Sequence, residues 1–576
     1  MSIRAQKELP RFSEQFFDAE NKITCIGTGE LGGKAKGLVF ISEVLNTQFN
    51  PADFLNINVS IPIMVVIPTD VFDEFIKRNN LNNIVDSDFS DDRIAHALQK
   101  ADLPFEILGD LRTLISKVKS PLAIRSSSML EDALHEPFAG IYSTKMIPNN
   151  QHDTDTRFRK LVEAIKLVYA SIYFKSARDY MAATEHSIAE EKMAVIIQEV
   201  VGNRHADRFY PEVSGVARSY NFYPFGNAKP ENGVVNLAFG LGKTIVDGGI
   251  SWVYSPSLPK ESPPYGSVGE LLKRTQTEFW SVNMGKPPAY DPINETEFMF
   301  KEHVTKAEPD GTLRLVASTY LADSDRIAIG TGYPGPRVLN FAGLLVLNDI
   351  PLNNLIKSLL SLCEQALNTP VEIEFAVTFN PHRFGFLQVR PMVVSGDKVE
   401  VAEEDLSADN ILIASKNVLG NGINDTIKDI VYVNPDKFET KYTLQVADEL
   451  ESINKSILKL HRPYLLIGFG RWGSSDPWLG IPVKWGQVSG AKVIVEAAQE
   501  NLNVEFSQGS HFFHNLNSFN VSYFSVKISD PYQIDWDWLS QQKIEKETNF
   551  IRHVSLYSPL QIKVDGRSGR GVIYKS

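Results

Sequence analysis

Val371-Glu-Ile-Glu-Phe-Ala-Val-Thr378, then Phe379-Asn-Pro-His-Arg383, then Phe384-Gly-Phe-Leu-Gln-Val-Arg-Pro-Met-Val-Val394 is the stretch that decides how this chain is read. Both arms alternate apolar and polar residues with period two, so each reads as a strand, and Asn-Pro-His-Arg between them reads as a hairpin loop. Alternation puts Glu372 and Glu374 on one face of the first strand, and Gln388 and Arg390 on one face of the second. A loop centred near Pro381 sets Glu374 opposite Gln388 and Glu372 opposite Arg390, with Ile373, Phe375 and Val389 turned into a core. Two carboxylates, an amide and a guanidinium on one sheet face are costly to bury unless something charged sits there. Paired carboxylate oxygens suit Mg²⁺, which keeps part of its hydration shell and takes other ligands from phosphates. Arg390 would offer a fixed fork of donors to phosphate oxygens. An exposed hairpin with a salt-bridged face satisfies the same pattern, so these residues alone leave both readings open.

The chain of 576 residues is long enough for several domains and carries no low-complexity tract. Its formal net charge of −12 argues against a general nucleic-acid binder, while a few local Lys and Arg residues suffice for ATP. Cys25 and Cys363 are too far apart in sequence for a disulfide framework or a metal cluster, which predicts a reducing compartment. Met1-Ser-Ile-Arg-Ala-Gln-Lys-Glu8 has no apolar signal core, and no apolar run approaches membrane length, so a cytoplasmic protein without a membrane partner is expected.

Residues 1–22 read as a polar lead-in, 23–395 as alternating strands and helices, 396–409 as an acidic linker and 410–576 as a second α/β region. Ile61-Pro-Ile-Met-Val-Val-Ile-Pro68 predicts a buried strand, and Asp70–Arg78 the helix after it. Phe158–Tyr173 has apolar residues at helical spacing, and Ala194–Val201 reads as a strand.

The chemistry-bearing motifs come in a fixed order. Gly27-Thr-Gly-Glu-Leu-Gly-Gly-Lys34 is a glycine-rich turn with a lysine; the glycines would let backbone approach a phosphate, though the spacing is not that of a Walker A loop. Pro121-Leu-Ala-Ile-Arg125-Ser-Ser-Ser128 is a short strand delivering an arginine and three hydroxyls to its end, where ligands collect in α/β folds. The serines read equally as a helix N-cap with Glu131 in the first turn. Phe138-Ala-Gly140, followed by Thr144, reads as a mobile flap. Val195-Ile-Ile-Gln198-Glu199-Val-Val201 is a buried strand whose backbone could meet an adenine edge. Pro211-Glu-Val-Ser-Gly215-Val-Ala-Arg218 and Asn236-Leu-Ala-Phe-Gly240-Leu-Gly-Lys243 follow, a strand and a glycine-rich loop.

Taken in order, these motifs and the opening hairpin resemble the nucleotide-binding domain of phosphoenolpyruvate synthase, pyruvate phosphate dikinase and rifampin phosphotransferase. The resemblance spans residues 23–395 and implies a two-lobed ATP-grasp domain that binds ATP and Mg²⁺ and transfers phosphate. It implies phosphate contacts for Lys34 and Arg125, a phosphate-covering loop at Gly140 and Thr144, and an adenine hinge at Gln198 and Glu199. It implies Mg²⁺ carboxylates at Glu372 and Glu374, with Gln388 and Arg390 as the Gln-x-Arg-Pro pair. The chain departs from the family pattern twice: Arg218-Ser-Tyr follows Ser-Gly-Val-Ala where Phe-Thr is usual, and Lys243 stands where Gly-Leu-Gly-Glu is usual.

The swivelling histidine segment of the dikinases has no counterpart here, and residues 410–576 are too few for a phosphoenolpyruvate-binding barrel of about 250 residues. A complete pyruvate-using dikinase is therefore not expected. In their place stand Leu465-Leu-Ile-Gly-Phe-Gly-Arg471-Trp-Gly-Ser-Ser-Asp476, near Trp472, Trp478 and Trp485, and Gly509-Ser-His511-Phe-Phe-His514-Asn515. Histidines three apart share a helix face and suit a base, a nucleophile or a metal ligand, so His511 and His514 are candidate phosphate relays; structural histidines fit as well. The expected function is ATP- and Mg²⁺-dependent phosphotransfer to a small molecule, a partner protein or a separate carrier domain. The alternative is a sensor that binds ATP without turnover.

Overall fold

The computed structural model describes residues 9–18, 22–54, 57–81, 84, 89–131, 140–181, 191–222, 224–261, 263, 267–392, 394, 399–474, 476–499 and 511–576, with backbone only at His511, His514, Asn517 and Ser518. The chain is a mixed α/β structure of several sheets joined by helices. The opening hairpin forms between Val371–Phe379 and His382–Pro391, with Glu372 opposite Arg390 and Glu374 opposite Gln388. Its loop is tighter than the sequence suggests, because His382 and Arg383 already pair with Phe379 and Thr378.

The hairpin sits inside a six-stranded sheet in the order Trp252–Tyr254, Val234–Ala238, Val213–Arg218, Val371–Phe379, His382–Pro391, Asn58–Ser60. Ile373, Phe375 and Val389 fill its buried face, in one apolar cluster with Leu38 and Ile41 of the helix Gly33–Gln48 and Leu355 and Leu359 of the helix Leu352–Leu367. A second sheet of five strands runs Ile23–Cys25, Met64–Ile67, Met193–Glu199, Leu122–Ser128, Thr144–Ile147. Ser126, Ser127 and Ser128 stand at the end of the strand Leu122–Ser128, where the sequence places them, and are fully buried. Ser128 and Glu131 nevertheless bond reciprocally, amide to side chain in both directions, as a capping pair does.

In the C-terminal third, Asp429–Val433, Tyr464–Phe469, Ala491–Ala497 and Ser522–Val526 run parallel and in sequence order within a seven-stranded sheet. The helix Thr443–Leu458 connects the first two of these strands. Residues 399–409 do not stand free, since Val401 and Leu406 pack against Ala414 and Val572. The basic segment after Asp565 turns between the closing strands Gln561–Asp565 and Arg570–Tyr574. The apolar core behind the five-stranded sheet is continuous with the C-terminal one, joined where Tyr180 meets Phe519 at 5.3 Å between ring centroids and Phe519 stacks on Trp485 at 4.9 Å. Among the described residues no helix is long and apolar enough to cross a membrane.

Gly215 shows how closely the hairpin sheet is packed, because a Cβ there would stand 2.1 Å from Phe375 Cζ. Gly215→Ala is expected to lower stability by about 1–3 kcal/mol through overpacking, and Phe375→Leu in the same chain to restore part of it. Urea midpoints of the two variants check this; an unchanged midpoint for Gly215→Ala would show that the ring moves aside freely.

Candidate functional site

Alternation along the five-stranded sheet places Ala123, Arg125, Thr144, Met146 and Gln198 on one face, since Arg125 pairs with Thr144 and Ala123 pairs with both Met146 and Gln198. This face and the Glu374–Gln388 face of the hairpin line a common cavity of about 530 Å³, within the range of small-molecule sites. Ala123, Met146, Val200, Leu241 and Met299 make an apolar stretch of its wall.

Arg125 is the polar centre of the cavity. It donates from Nη1 to Gln198 Oε1 at 3.1 Å and to the Leu387 carbonyl at 2.8 Å, and from Nη2 to Gln388 Oε1 at 2.9 Å. Glu374 Oε2 lies 3.7 Å from Nη2, so one guanidinium ties the five-stranded sheet to the hairpin. Beside this guanidinium, Gln198 Nε2 and Glu374 Oε1 are buried polar atoms with no hydrogen-bond partner among the described residues. Desolvated and unmatched, such atoms suit a ligand that supplies an acceptor and a cation.

Lys34 enters the same cavity from the first turn of the helix Gly33–Gln48. Its ammonium pairs with Glu131 Oε1 at 2.8 Å, and Glu131 is held in turn by Ser126 Oγ and the Ser128 amide. Gly32 has φ +75°, and a Cβ there would lie 1.7 Å from the Ser127 carbonyl oxygen. The glycine is thus required by the close approach of loop and strand, whatever it does for a phosphate. Glu191 is buried close by. Burial pushes its carboxyl up to about 7 against hydrogen bonds from Ser128 and the Leu130 amide, and the charge of Glu131 adds to the rise.

Glu372 does not line the cavity. One carboxylate oxygen takes Arg218 Nε at 2.5 Å and the other takes Arg390 Nε at 2.6 Å, with all three side chains buried. Arg390 also lies 3.7 Å from Glu374 Oε1 and, like Glu372, sits outside the lining. Arg218, the first departure from the family pattern, is therefore the counter-ion of an expected metal carboxylate. The second departure, Lys243, pairs with Asp247 at 2.9 Å and Glu295 at 3.6 Å on the cavity wall. Burial works to lower the pKa of Lys243, and the two carboxylates outweigh it.

Of the residues expected from sequence, Lys34, Arg125, Gly140, Thr144, Gln198, Glu199, Gln388 and Glu374 all line this cavity. The Glu199 carboxylate is engaged by Arg383 at 3.1 Å. His511 and His514 lie in the helix His511–Ser518, whose Phe512 and Asn515 line the cavity; their side chains, like the flap residues Phe138 and Ala139, lie outside the described residues. Sequence reading did not foresee that the C-terminal third would supply a wall of this cavity, through Gly473, Ser474, Lys484, Trp485 and Asn515. The signals for it were the Gly-Arg-Trp-Gly-Ser-Ser-Asp block at a strand end, where Ser474 and Asp476 also accept the local Asp476 and Trp478 amides, and the segment around His511 and Asn515.

A family model, the AMP/ATP-binding domain of pyruvate phosphate dikinase, matches residues 28–410, and the chain belongs to that family. The matched range contains the described cavity residues from Lys34 to Gln388 and ends before the C-terminal wall begins.

Because the Glu191 carboxyl is raised in the folded chain from an ordinary 4.5 to about 7, its contribution to stability is full below pH 4.5 and is lost as pH rises through about 7. Glu191→Gln removes this titration. Between pH 5 and pH 8 the variant is expected to gain roughly 2–4 kcal/mol relative to the parent. Urea unfolding of both chains at the two pH values measures it, and parallel curves would place the Glu191 carboxyl in its ordinary range.

Proposed function

We propose that the chain is an ATP- and Mg²⁺-dependent phosphotransferase whose five-stranded and hairpin sheets form the two lobes of an ATP-grasp site, with the C-terminal region folded against both. The observation that carries this reading is the convergence of Arg125, Gln198, Gln388 and Glu374 on one cavity with two buried polar atoms left unmatched. The adenine would lie along Val200 and the apolar wall beside Gln198 and Glu199, with the phosphates at Lys34 and Arg125 under the loop of Gly140 and Thr144. Glu374 has a carboxylate oxygen without a hydrogen bond, only loosely paired with Arg390 at 3.7 Å, and fits a metal. Glu372 joins it only on release from Arg218, and Arg390 acts from beneath both carboxylates. When bound, Mg²⁺ would neutralise charge on the phosphate oxygens. The protein's own part is to fix the triphosphate, exclude water and hold cations where charge develops. Lys34 would exchange Glu131 for a phosphate oxygen. His511 or His514 would carry phosphate in a relay; otherwise the acceptor is a small molecule or a protein.

One observation favours a second reading, an ATP sensor without turnover: both oxygens of Glu372 are already taken by guanidinium groups.

Incubation with Mg²⁺ and ATP, followed by nucleotide analysis and a search for acid-labile, base-stable phosphate on the protein, separates the two. Turnover is expected, with Glu374→Gln lowering it at least about 100-fold and Arg125→Gln weakening ATP binding about 10- to 100-fold. ATP bound but returned intact by the parent chain, with and without candidate acceptors, would leave the sensor.

A further inference from the structure

The block Gly470-Arg-Trp-Gly-Ser-Ser-Asp476 lends Gly473 and Ser474 to the cavity wall, while its arginine, outside the lining, makes a contact that spans much of the chain. Arg471 follows the carboxyl end of the strand Tyr464–Phe469 and is 8% exposed. From Nη1 it donates to the Gly248 carbonyl at 2.9 Å and to the Gly249 carbonyl at 3.4 Å. Those carbonyls close the glycine-rich loop that began at Gly240.

The helix in that loop, Lys243–Val246, has four residues, far below the ~12–15 at which a helix begins to hold by itself. Two bonds finish it in a Schellman arrangement, Gly249 N to Thr244 O at 2.8 Å and Gly248 N to Ile245 O at 2.9 Å, with Gly248 at φ +76°. A cation on the carbonyls just beyond a helix end satisfies acceptors and meets the negative end of the helix dipole. Arg471 is that cation. Lys243, Ile245, Val246 and Asp247 of the turn it holds all line the cavity.

We propose that Arg471 is a positioning residue of the nucleotide site, fixing the turn 243–249 so that Lys243 stands at the cavity wall. The inference rests on the reading of the cavity as a nucleotide site. The pinned turn is where the chain departs from the family pattern, and the residue that pins it lies outside the family's matched range. The C-terminal third is thus a working part of the site.

Two measurements on the full chain test this. The first needs no nucleotide: amide hydrogen exchange at Ile245 to Gly249 in the parent, Arg471→Lys and Arg471→Gln. Loss of a hydrogen bond from a charged donor is expected to speed exchange about tenfold in Arg471→Gln, with Arg471→Lys between. Unchanged exchange would overturn the positioning role. The second is ATP affinity by calorimetry for Arg471→Gln, Lys243→Ala and the double variant. Arg471→Gln is expected to weaken binding about tenfold, and the double variant to match Lys243→Ala alone, because Arg471 acts through Lys243. Additive losses would overturn that route. Should Arg471→Gln fail to fold, Arg471→Lys carries both measurements. A parent chain that binds no ATP, with the exchange effect intact, refutes the nucleotide reading and leaves the pinned turn standing.

Discussion

A run of alternating charges, Arg218–Glu372–Arg390–Glu374–Arg125, buried at its first three members and half-buried at its last two, holds the functional region of this chain together. Each of these groups is costly to take out of water, and removing one strands its neighbours at a cost of roughly 3–5 kcal/mol. The run begins on the strand Val213–Arg218, crosses both hairpin strands and ends on the five-stranded sheet, where Arg125 also bonds Gln198. The two sheets, also linked by Arg383 and Glu199, are thereby held at one spacing. The cavity between them is the volume that spacing leaves.

The same run explains why the site suits a polyanion. Three guanidinium groups face two carboxylates, which leaves one excess positive charge before Lys34 is counted, and Lys34 is matched by Glu131. Of the three guanidinium groups only that of Arg125 lines the cavity, so on the reading proposed above it is Arg125, already oriented by Gln198, Gln388 and the Leu387 carbonyl, that phosphate oxygens would meet. Glu374, the carboxylate of the run that lines the cavity, keeps one oxygen without a hydrogen bond.

The hairpin was legible because period-two alternation and a short proline loop together set the register, and Glu372–Arg390 and Glu374–Gln388 pair as that register requires. Arg125 was legible as a strand-borne arginine, but not its bond to the Leu387 carbonyl, 262 residues away. The pairing of Arg218 with Glu372 left no local trace either, since it joins strands 154 residues apart and Arg218 stood out only by departing from a pattern. Short-range periodicity reports which face a side chain occupies and says nothing of which distant strand will lie beside it. For that reason the block around Arg471 was visible as unusual without showing what it would touch.

The cavity wall is assembled from residues as early as Lys34 and as late as Asn515. During synthesis the hairpin and the five-stranded sheet leave the ribosome well before Gly473–Gly486 and Asn515, so for that interval the cavity lacks one wall and the apolar surface that will receive Trp485 and Phe519 is bare. A nascent chain thus carries that apolar surface uncovered until its last fifth is made. The last wall to form is the one that covers it.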